Sequence, residues 1–285
     1  MINISIFGWY GTETLGDRAI LDGIFQILNS LNKPIQINIG SLYPNFTKRT
    51  FLEDEKIYQN NSKNLSFKIF DVYNRKLTNQ MINNSQMIIM GGGPIMDLEE
   101  LTIINKAFLK AKKLKKKTML FGCGMGPLYK EKYKNIVKNI LKNTDLCIFR
   151  DKKSIEIAKN IYSCNNYYSS SDPAILSIIK YLTSNGNNSC NEGYACANFR
   201  VISQEYNEKN NYDDDFVDII KKMADMYPKV LLVPMHTYAI GGDDRLFLTQ
   251  LANKAAKKNV LVMHKPLNLY ELYDVYYHAK ACIGM

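Results

Sequence analysis

Short β-branched runs alternate with longer amphipathic runs along almost the whole chain, and this alternation constrains the fold more than any other feature. Runs such as Ile2–Phe7, Met87–Met90 and Leu146–Phe149 have the length and composition of buried strands, and segments with helical periodicity separate them. Strands separated by helices form β-α-β units, whose sheets are parallel and covered on both faces. The pattern therefore predicts an α/β protein with two Rossmann-like domains built on parallel sheets.

A polar segment without periodicity, residues 184–192, predicts a linker between these domains. It separates a first domain, residues 1–183, from a second domain, residues 193–285. The sequence ends at Met285, just after the last predicted strand, Ala281–Gly284. In an open α/β sheet a ligand-binding loop and a covering helix would follow such a strand. We therefore expect the second domain to be truncated.

The composition is that of a globular protein, with 46% hydrophobic and 22% charged residues among 285. No apolar stretch approaches the ~18 residues of a membrane helix, and the N-terminus lacks the features of a signal peptide. We expect a cytoplasmic protein. The net charge of +10 resides mainly in lysines on predicted helices. These lysines either form solvated faces or attract an anionic membrane surface or polyanionic substrate. No nucleic-acid-binding motif is present, and we expect no nucleic acid partner.

Neither a disulfide framework nor a metal site is expected. None of the six cysteines forms a C-x-x-C pair, and the three histidines lack metal-ligand spacing.

Three loops that follow predicted strands of the first domain are rich in glycine, which lets the backbone approach a ligand closely. The first is either a ligand loop or a tight turn, the second either a ligand loop or a packing element between domains, and the third resembles an anion nest. None contains a Walker or G-x-G-x-x-G motif. The candidate binding residues are Gly8, Gly11, Gly16 and Asp17 in the first loop, Gly91, Gly92, Gly93 and Asp97 in the second, and Gly122, Gly124 and Gly126 in the third.

Three residues near these loops also predict helix starts. Asp17 suits an N-cap, and Pro127 suits the first position of the next helix. Asp172 either caps the following helix or lines the ligand crevice.

Two arginines follow predicted strands, where their planar groups would face a ligand crevice. Arg150 follows a strand of the first domain, and Arg200 follows a strand of the second. We predict that both bind an anion, although Arg150 could instead pair with Asp151. His236 ends another strand and is either an acid/base group or a structural hydrogen-bonding residue.

Two adjacent acids in the second domain, Asp243 and Asp244, either cap the next helix or contact substrate.

These motifs, taken in order, resemble the polysaccharide pyruvyl transferase family. The matching features are Gly8-Trp-Tyr-Gly11, Leu15-Gly-Asp17, Gly91-Gly-Gly93 with Asp97, Gly122-Cys-Gly-Met-Gly-Pro127, Arg150-Asp-Lys-Lys-Ser154, Asp172-Pro173, Arg200, Pro234-Met-His236 and Asp243-Asp244. The resemblance implies a fold similar to the GT-B glycosyltransferases. The Arg-x-His motif that the family usually shows after its terminal strand is not in the sequence, which stops at Met285.

The resemblance also implies the chemistry. Phosphoenolpyruvate would be the donor and co-substrate, and a sugar of a cell-surface glycan or lipid-linked precursor would be the acceptor. The product would be a pyruvyl ketal across two hydroxyls, formed without a metal or cofactor. Arg150 and Arg200 would hold the donor, and His236 would be an acid/base or acceptor-binding group. Two alternatives remain: a nucleotide-sugar glycosyltransferase of the same fold, and a non-catalytic member that binds a glycan or the membrane.

Overall fold

The computed structural model describes residues 1–12, 14–60, 62–185, 193–201, 212–238 and 242–284. The chain divides into two compact units, Met1–Lys180 and Tyr181–Met285, called unit 1 and unit 2 below. Each unit contains a parallel β-sheet with helices between its strands. The prediction of two Rossmann-like α/β parts is confirmed.

Unit 1 contains a parallel sheet in the order β3-β2-β1-β4-β6-β7-β8, with the short strand β5 paired to β6. The strands are β1 (Ile2–Phe7), β2 (Ile35–Ser41), β3 (Leu65–Asp71), β4 (Met87–Gly91), β5 (Pro94–Ile95), β6 (Lys117–Met125), β7 (Leu146–Phe149) and β8 (Tyr167–Ser169). The helices are α1 (Leu15–Asn29), α2 (Pro44–Glu53), α3 (Glu55–Asn60), α4 (Arg75–Asn84), α5 (Leu101–Lys113), α6 (Glu131–Lys142), α7 (Lys152–Ile161) and α8 (Ala174–Asn185), the last of which continues into unit 2.

The central strands of unit 1 are apolar on both faces because helices cover both. In β1, four consecutive residues from Ile4 to Phe7 are buried. Ile6 pairs in register with Ile39 of β2 and Ile89 of β4. Such a run of buried residues, in which only Ser5 is polar, is typical of a parallel sheet, which has no face in water.

Unit 2 contains a smaller parallel sheet in the order β11-β10-β9-β12. Its strands are β9 (Tyr194–Asn198), β10 (Lys229–Leu232), β11 (Val260–Val262) and β12 (Ala281–Gly284), and its helices are α9 (Asp213–Met226), α10 (Asp244–Ala255) and α11 (Leu269–Tyr277). The core of unit 2 is one cluster of buried side chains. It includes Ile220 of α9 and Leu248 of α10, both fully buried, together with residues of the central strands.

Two predicted helix starts are wrong. Thr14, not Asp17, is the N-cap of α1: the Thr14 side chain accepts a hydrogen bond from the Asp17 amide, and the Asp17 carboxylate accepts one from the Thr14 amide. Asp17 is therefore the third helical residue of a capping box. Helix α6 begins at Glu131, four residues after Pro127, and residues 127–130 form an irregular segment before it.

The predicted linker is only partly described. Helix α8 runs through Asn185, so residues 184 and 185 are helical. Residues 186–192, with Cys190 among them, lie outside the described residues. Within the described ranges, no helix combines the length and the hydropathy that a membrane crossing requires.

Helix α1 lies so close to the segment before α8 that one position admits only glycine. A Cβ atom on Gly23 would lie 1.9 Å from the Pro173 carbonyl oxygen. We expect Gly23→Ala to lower the free energy of unfolding by about 3 kcal/mol, at the upper end of overpacking costs, because backbone atoms must move apart. Urea denaturation followed by circular dichroism measures this change.

Gly16 in the same helix is the matched control. Its added Cβ would meet only Thr14 Oγ1, at 3.4 Å. Gly16→Ala should therefore leave stability unchanged or raise it by up to about 1 kcal/mol through helix propensity. Equal effects of the two substitutions would contradict the packing described here.

Candidate functional site

The carboxyl edge of the unit 1 sheet carries the candidate residues of the first domain. The sheet order changes direction between β1 and β4, and the crevice outside such a switch point is where ligands bind in open α/β sheets. The loop after β1 contains Gly8 and Gly11, and the loop after β4 contains Gly92 and Gly93. Sequence and topology thus bring two glycine-rich loops to one place.

These two loops pack directly on each other. The Tyr10 hydroxyl donates a hydrogen bond to the Gly91 carbonyl oxygen at 2.8 Å, and Trp9 Nε1 donates to the Pro94 carbonyl oxygen at 3.2 Å. A Cβ on Gly8 would lie 2.9 Å from the Gly91 carbonyl oxygen. The loops therefore form a compact layer at the strand ends.

The glycine triplet after β4 is required by packing within unit 1. Gly93 has φ +72°, and its added Cβ would lie 2.4 Å from the Trp9 ring and 3.3 Å from Asp17 Oδ1. Gly92 has φ +77°, and its Cβ would lie 2.2 Å from Ile20 of α1. Both positions need glycine for conformation and for space.

Two of the remaining candidate glycines of the first loop differ from each other. A Cβ on Gly11 would lie 2.3 Å from the Tyr43 amide nitrogen, so Gly11 is required where the loop meets the segment before α2. Gly16 has no comparable close neighbour, and its place in the first turn of α1 is not sterically enforced.

The end of β7 places Arg150 over Gly124 of the neighbouring strand β6. A Cβ on Gly124 would lie 2.9 Å from Arg150 Nε and 3.0 Å from Nη2, so the guanidinium group lies against the bare backbone. The Arg150 amide donates to the Cys123 carbonyl oxygen at 3.1 Å, which joins the ends of β6 and β7. Because Gly124 has no side chain, the Arg150 guanidinium has room at the sheet edge.

Arg150 has one close acidic partner. Its Nη1 donates to Asp172 Oδ2 at 3.1 Å, whereas the alternative partner Asp151 lies 3.8 Å from Nε. The Arg150 side chain remains 34% exposed. Nη2 has no hydrogen-bond partner in the described part of the chain. The guanidinium is therefore oriented but retains donors for an anion.

Asp172 contacts the start of the following helix, one of the two roles that the sequence left open, and it also pairs with Arg150. Its Oδ1 accepts a hydrogen bond from the Ala174 amide at the start of α8, at 3.0 Å, while its Oδ2 holds Arg150. The helix start thus positions the carboxylate that orients the arginine.

The other two loop features of this edge are structural. Gly122, with φ +67°, lies under Pro173, whose Cγ would be 2.3 Å from an added Cβ. Gly126 has φ +90°, and its amide donates to the Ile95 carbonyl oxygen at 2.7 Å. Ser154 Oγ accepts from the Met125 amide at 2.9 Å, so α7 also holds this loop.

Asp97 holds the segment that leads into α6. Its Oδ2 accepts hydrogen bonds from the amides of Tyr129 and Lys130, each at 3.0 Å. The residue is 8% exposed, and Oδ1 is buried without a partner among the residues described. Asp97 Oδ2 therefore holds the backbone of Tyr129 and Lys130 in place.

Cys123 lies in the same loop and is not a nucleophile. The residue is fully buried, and burial raises the pKa of its thiol to about 12. A thiol with this pKa is protonated near neutral pH.

In unit 2, Asp244 joins the ends of β9 and β10. Its Oδ1 accepts from Arg200 Nε at 3.1 Å, and its Oδ2 accepts from the amides of Met235 and His236 at 3.1 and 2.8 Å. Asp244 is 5% exposed, whereas the Arg200 side chain is 35% exposed. Arg200 is thus oriented in the same way as Arg150, by one carboxylate. Its two terminal nitrogens have no partner within the described ranges.

His236 is held in a fixed orientation. The residue is only 2% exposed, its Nδ1 contacts the Gly242 carbonyl oxygen, and its ring stands edge-on to Tyr238 at a centroid distance of 5.6 Å. Because a carbonyl oxygen can only accept, this contact places the ring proton on Nδ1. The contact therefore favours a proton on Nδ1 of His236.

Asp243 caps α10 and pairs with Arg245. Its Oδ1 accepts from the Arg245 amide at 3.0 Å, and its Oδ2 pairs with Arg245 Nη2 at 2.6 Å. The hydrogen bond from Arg245, opposed by partial burial, lowers the pKa of Asp243 below its usual value. The sequence left a substrate contact open for Asp243, but its described contacts are those of a cap.

Three residues that sequence reasoning missed organise this edge. Trp9 and Tyr10 fasten the first loop to the second, and Pro173 lies against both Gly122 and Gly23. For Trp9 and Tyr10, the sequence signal was an aromatic pair between two glycines. Within the described residues, no group of three or more His, Cys, Asp or Glu side chains is placed to hold a metal ion.

Three solved structures of similar fold are a UDP-N-acetylglucosamine 2-epimerase and two proteins in complex with UDP or UDP-glucose. A UDP-N-acetylglucosamine 2-epimerase from Rickettsia bellii has a TM-score of 0.62 and 8% identity, covering 100% of this chain and 74% of its own. MnaA of S. aureus, in a structure with UDP, has a TM-score of 0.61 and 10% identity, with coverages of 100% and 74%. Anabaena HepE, in complex with UDP-glucose, has a TM-score of 0.55 and 12% identity, with coverages of 95% and 71%. The chain has a GT-B-like fold.

The sequence defines the family within this fold. The model of the family named polysaccharide pyruvyl transferase matches residues 15–285, nearly the whole chain. The chain belongs to the polysaccharide pyruvyl transferase family, whose members are transferases of polysaccharide biosynthesis. No curated protein matches the sequence significantly.

The ion pair at the start of α10 predicts a pH dependence of stability. The pKa of Asp243 is lowered in the folded state, so its contribution is complete above the unfolded value, about 3.9, and is lost as the pH falls through the folded value. Asparagine also caps helices well, so Asp243→Asn removes mainly the charge. We expect wild type to be more stable than this variant by about 1 kcal/mol at pH 7. The difference should shrink toward zero between about pH 4 and pH 2.

Urea denaturation of both proteins at each pH measures the difference in unfolding free energy. A difference that is independent of pH would contradict the ion pair.

Proposed function

We propose that this protein transfers the pyruvyl group of phosphoenolpyruvate to two hydroxyls of a sugar in a cell-surface glycan or its lipid-linked precursor, forming a ketal. The observation that carries the proposal is the family match over residues 15–285. The geometry of Arg150 supports it, because the donor is a small molecule with two anionic groups and needs oriented cationic ligands.

Arg150 is proposed to bind the donor. Its guanidinium lies at the carboxyl edge of the sheet, against Gly124, and Asp172 fixes its orientation. The Arg150 side chain is partly exposed, and its Nη2 can form a charge-assisted hydrogen bond with a carboxylate or phosphate. Asp172 also restricts where the donor can bind, because its carboxylate repels an anion unless the Arg150 guanidinium lies between them.

The reaction needs one proton donor and two deprotonations. A general acid protonates the methylene carbon of phosphoenolpyruvate, and the first sugar hydroxyl adds to C2 and loses its proton. The second hydroxyl then displaces phosphate from C2 and also loses its proton. One of the two hydroxyl protons replaces the proton that the general acid donated, and the other leaves with the phosphate. The products are the ketal, with a new methyl group, and inorganic phosphate. Each positioned acid or base contributes roughly 10²–10⁴-fold.

Arg200 and His236 are the proposed groups of unit 2. Arg200 is a second anion-binding side chain, oriented by Asp244. His236 is the proposed acid/base group, and the Gly242 carbonyl keeps its ring in one tautomer. A fixed tautomer is what a proton-transfer residue requires, because the nitrogen that accepts the proton must be defined in advance.

The lysine-rich helices suit a membrane-linked acceptor. Lys112, Lys113 and Lys115 on and after α5 are exposed, and the whole chain carries a net charge of +10. Positive side chains attract anionic lipids by about 1 kcal/mol each near the surface. We propose peripheral association with the inner face of the membrane in the cytoplasm.

A nucleotide-sugar glycosyltransferase is the second candidate, because HepE of similar fold is in complex with UDP-glucose. Ligand choice separates the two functions. Phosphoenolpyruvate should raise the melting temperature while UDP-glucose should not. The reverse result would favour the glycosyltransferase.

Arg150→Lys is the sharpest test of the donor assignment. Lysine keeps the charge but loses the planar fork that contacts Gly124 and Asp172. We expect kcat/KM for phosphoenolpyruvate to fall about 100-fold, which corresponds to the loss of a charge-assisted hydrogen bond of about 3 kcal/mol. Acceptor-dependent phosphate release measures the rate.

Arg49→Lys is the matched control. Arg49 is 50% exposed and pairs with Glu53 on the same helix, α2, and not with Arg150 or Asp172. Its substitution should change kcat/KM by less than about twofold. Normal turnover by Arg150→Lys with an intact fold would remove Arg150 from the donor site.

His236→Asn separates an acid/base role from a structural one. The asparagine side-chain amide can donate to the Gly242 carbonyl as Nδ1 does, but it cannot titrate. We expect the melting temperature to stay within about 3 °C of wild type, a cost below about 1 kcal/mol. We also expect kcat to fall by about 10²-fold or more, with loss of one limb of the pH profile. An unchanged kcat and pH profile would make His236 purely structural.

A further inference from the structure

A cavity between α4 and α5 lies apart from the donor residues and has no role in the chemistry above. Its volume is about 600 Å³, and its lining includes Arg75 and Thr78 from α4 and Thr102 and Lys106 from α5. None of the residues around Arg150 contributes to it. The volume falls within the range of about 300–1,000 Å³ for small-molecule sites.

The floor of this cavity is apolar and rigid. Ile82 of α4 and Ala107 of α5 are each 1% exposed, and Val72 after β3 is 7% exposed. At the lower end, Lys110 Nζ donates to Asn79 Oδ1 at 2.6 Å and thus joins the two helices. Burial lowers the pKa of Lys110. The cavity is therefore a preformed groove with one side closed by a cation.

Two further cations at the groove have no assigned partner. Neither Arg75 nor Lys106 forms a hydrogen bond or an ion pair within the part of the chain that the structure describes. Elsewhere in unit 1, Arg18 and Lys112 pair with acids, at Asp54 and Asp145. Two unpaired cations facing one groove with Lys110 form a site of concentrated positive charge.

The remaining lining groups suit the hydroxyls of a sugar. Thr78 Oγ1 donates to the Val72 carbonyl oxygen at 3.1 Å, and Thr102 Oγ1 donates to the Glu99 carbonyl oxygen at 2.8 Å. Because each hydroxyl already donates its proton to a backbone carbonyl, its oxygen can accept a hydrogen bond from a ligand. Tyr73, 56% exposed, adds an aromatic ring at the rim.

From this combination we propose that the groove between α4 and α5 binds a soluble phosphorylated sugar, with Arg75 and Lys106 on the phosphate and Thr78 and Thr102 on the sugar hydroxyls. The same phosphate chemistry occurs in lipid headgroups. A concave groove with an apolar floor fits a small ligand that enters it, whereas a flat membrane surface would contact only the rim. The proposal is independent of pyruvyl transfer.

Isothermal titration calorimetry with inorganic phosphate, pyrophosphate and glucose 1-phosphate tests the proposal. We expect saturable binding with one site per chain, and tighter binding of glucose 1-phosphate than of inorganic phosphate. Arg75→Gln with Lys106→Gln should weaken binding at least about tenfold, since charge-assisted hydrogen bonds are lost.

Lys138→Gln with Lys142→Gln is the matched control, because both lysines are exposed on α6, outside the groove, and the double variant changes the net charge equally. It should weaken binding less than about twofold, the effect of a distant screened charge. Both double variants should melt within about 3 °C of wild type, because no described contact is lost.

Vesicle cosedimentation distinguishes the two sources of phosphate. Binding to phosphatidylglycerol vesicles, lost in the Arg75/Lys106 variant, together with no binding of the soluble phosphates would overturn the proposal in favour of a lipid surface. No saturable binding of any probe, or equal weakening in the two double variants, would also overturn it. A saturable site lost only in the groove variant supports it.

Discussion

The structure of unit 1 depends on how closely its backbone segments approach one another at the carboxyl edge of the sheet. Gly8 and Gly91 lie against each other, Gly92 lies against α1, and Gly122 lies under Pro173. Each contact leaves no room for a Cβ atom, so small changes here would shift whole loops rather than single side chains. The edge is thereby a rigid base on which Arg150 rests, and pre-organisation of this kind is what an anion site requires.

The paired arginines differ in how much of each side chain is exposed. Arg18 is 5% exposed and pairs with Asp54 at 2.6 Å; burial alone would lower its pKa, but the carboxylate raises it above the usual value. Such a buried ion pair is structural. Arg150 and Arg200 are about one-third exposed, and each has one orienting carboxylate, Asp172 or Asp244. One acid is enough to fix a guanidinium while leaving donors for a ligand.

Periodicity made most of the strands and long helices predictable, because burial of an apolar face determines both the pattern and the fold. The short strands β5 and β8 were not predicted. Helices α2 and α3 were missed, since residues 44–60 are largely polar and have weak periodicity. The candidate glycines could be found, but their partners could not. A glycine in a loop indicates that another part of the chain comes close, but not which part. Only the fold shows that Pro173 or the Trp9 ring occupies that space. The pairing of Arg150 with Asp172, which follows the next strand, likewise depends on the parallel order of β7 and β8.

Pro173 touches two glycines from different elements, Gly23 in α1 and Gly122 at the end of β6. The three positions are distant in sequence but occupy one small volume. They should therefore behave as a single unit in evolution: a side chain gained at 23 or 122 would be tolerated only where the proline ring, or the turn that carries it, has also changed. Across homologues, correlated replacement at these positions would record the same steric limit.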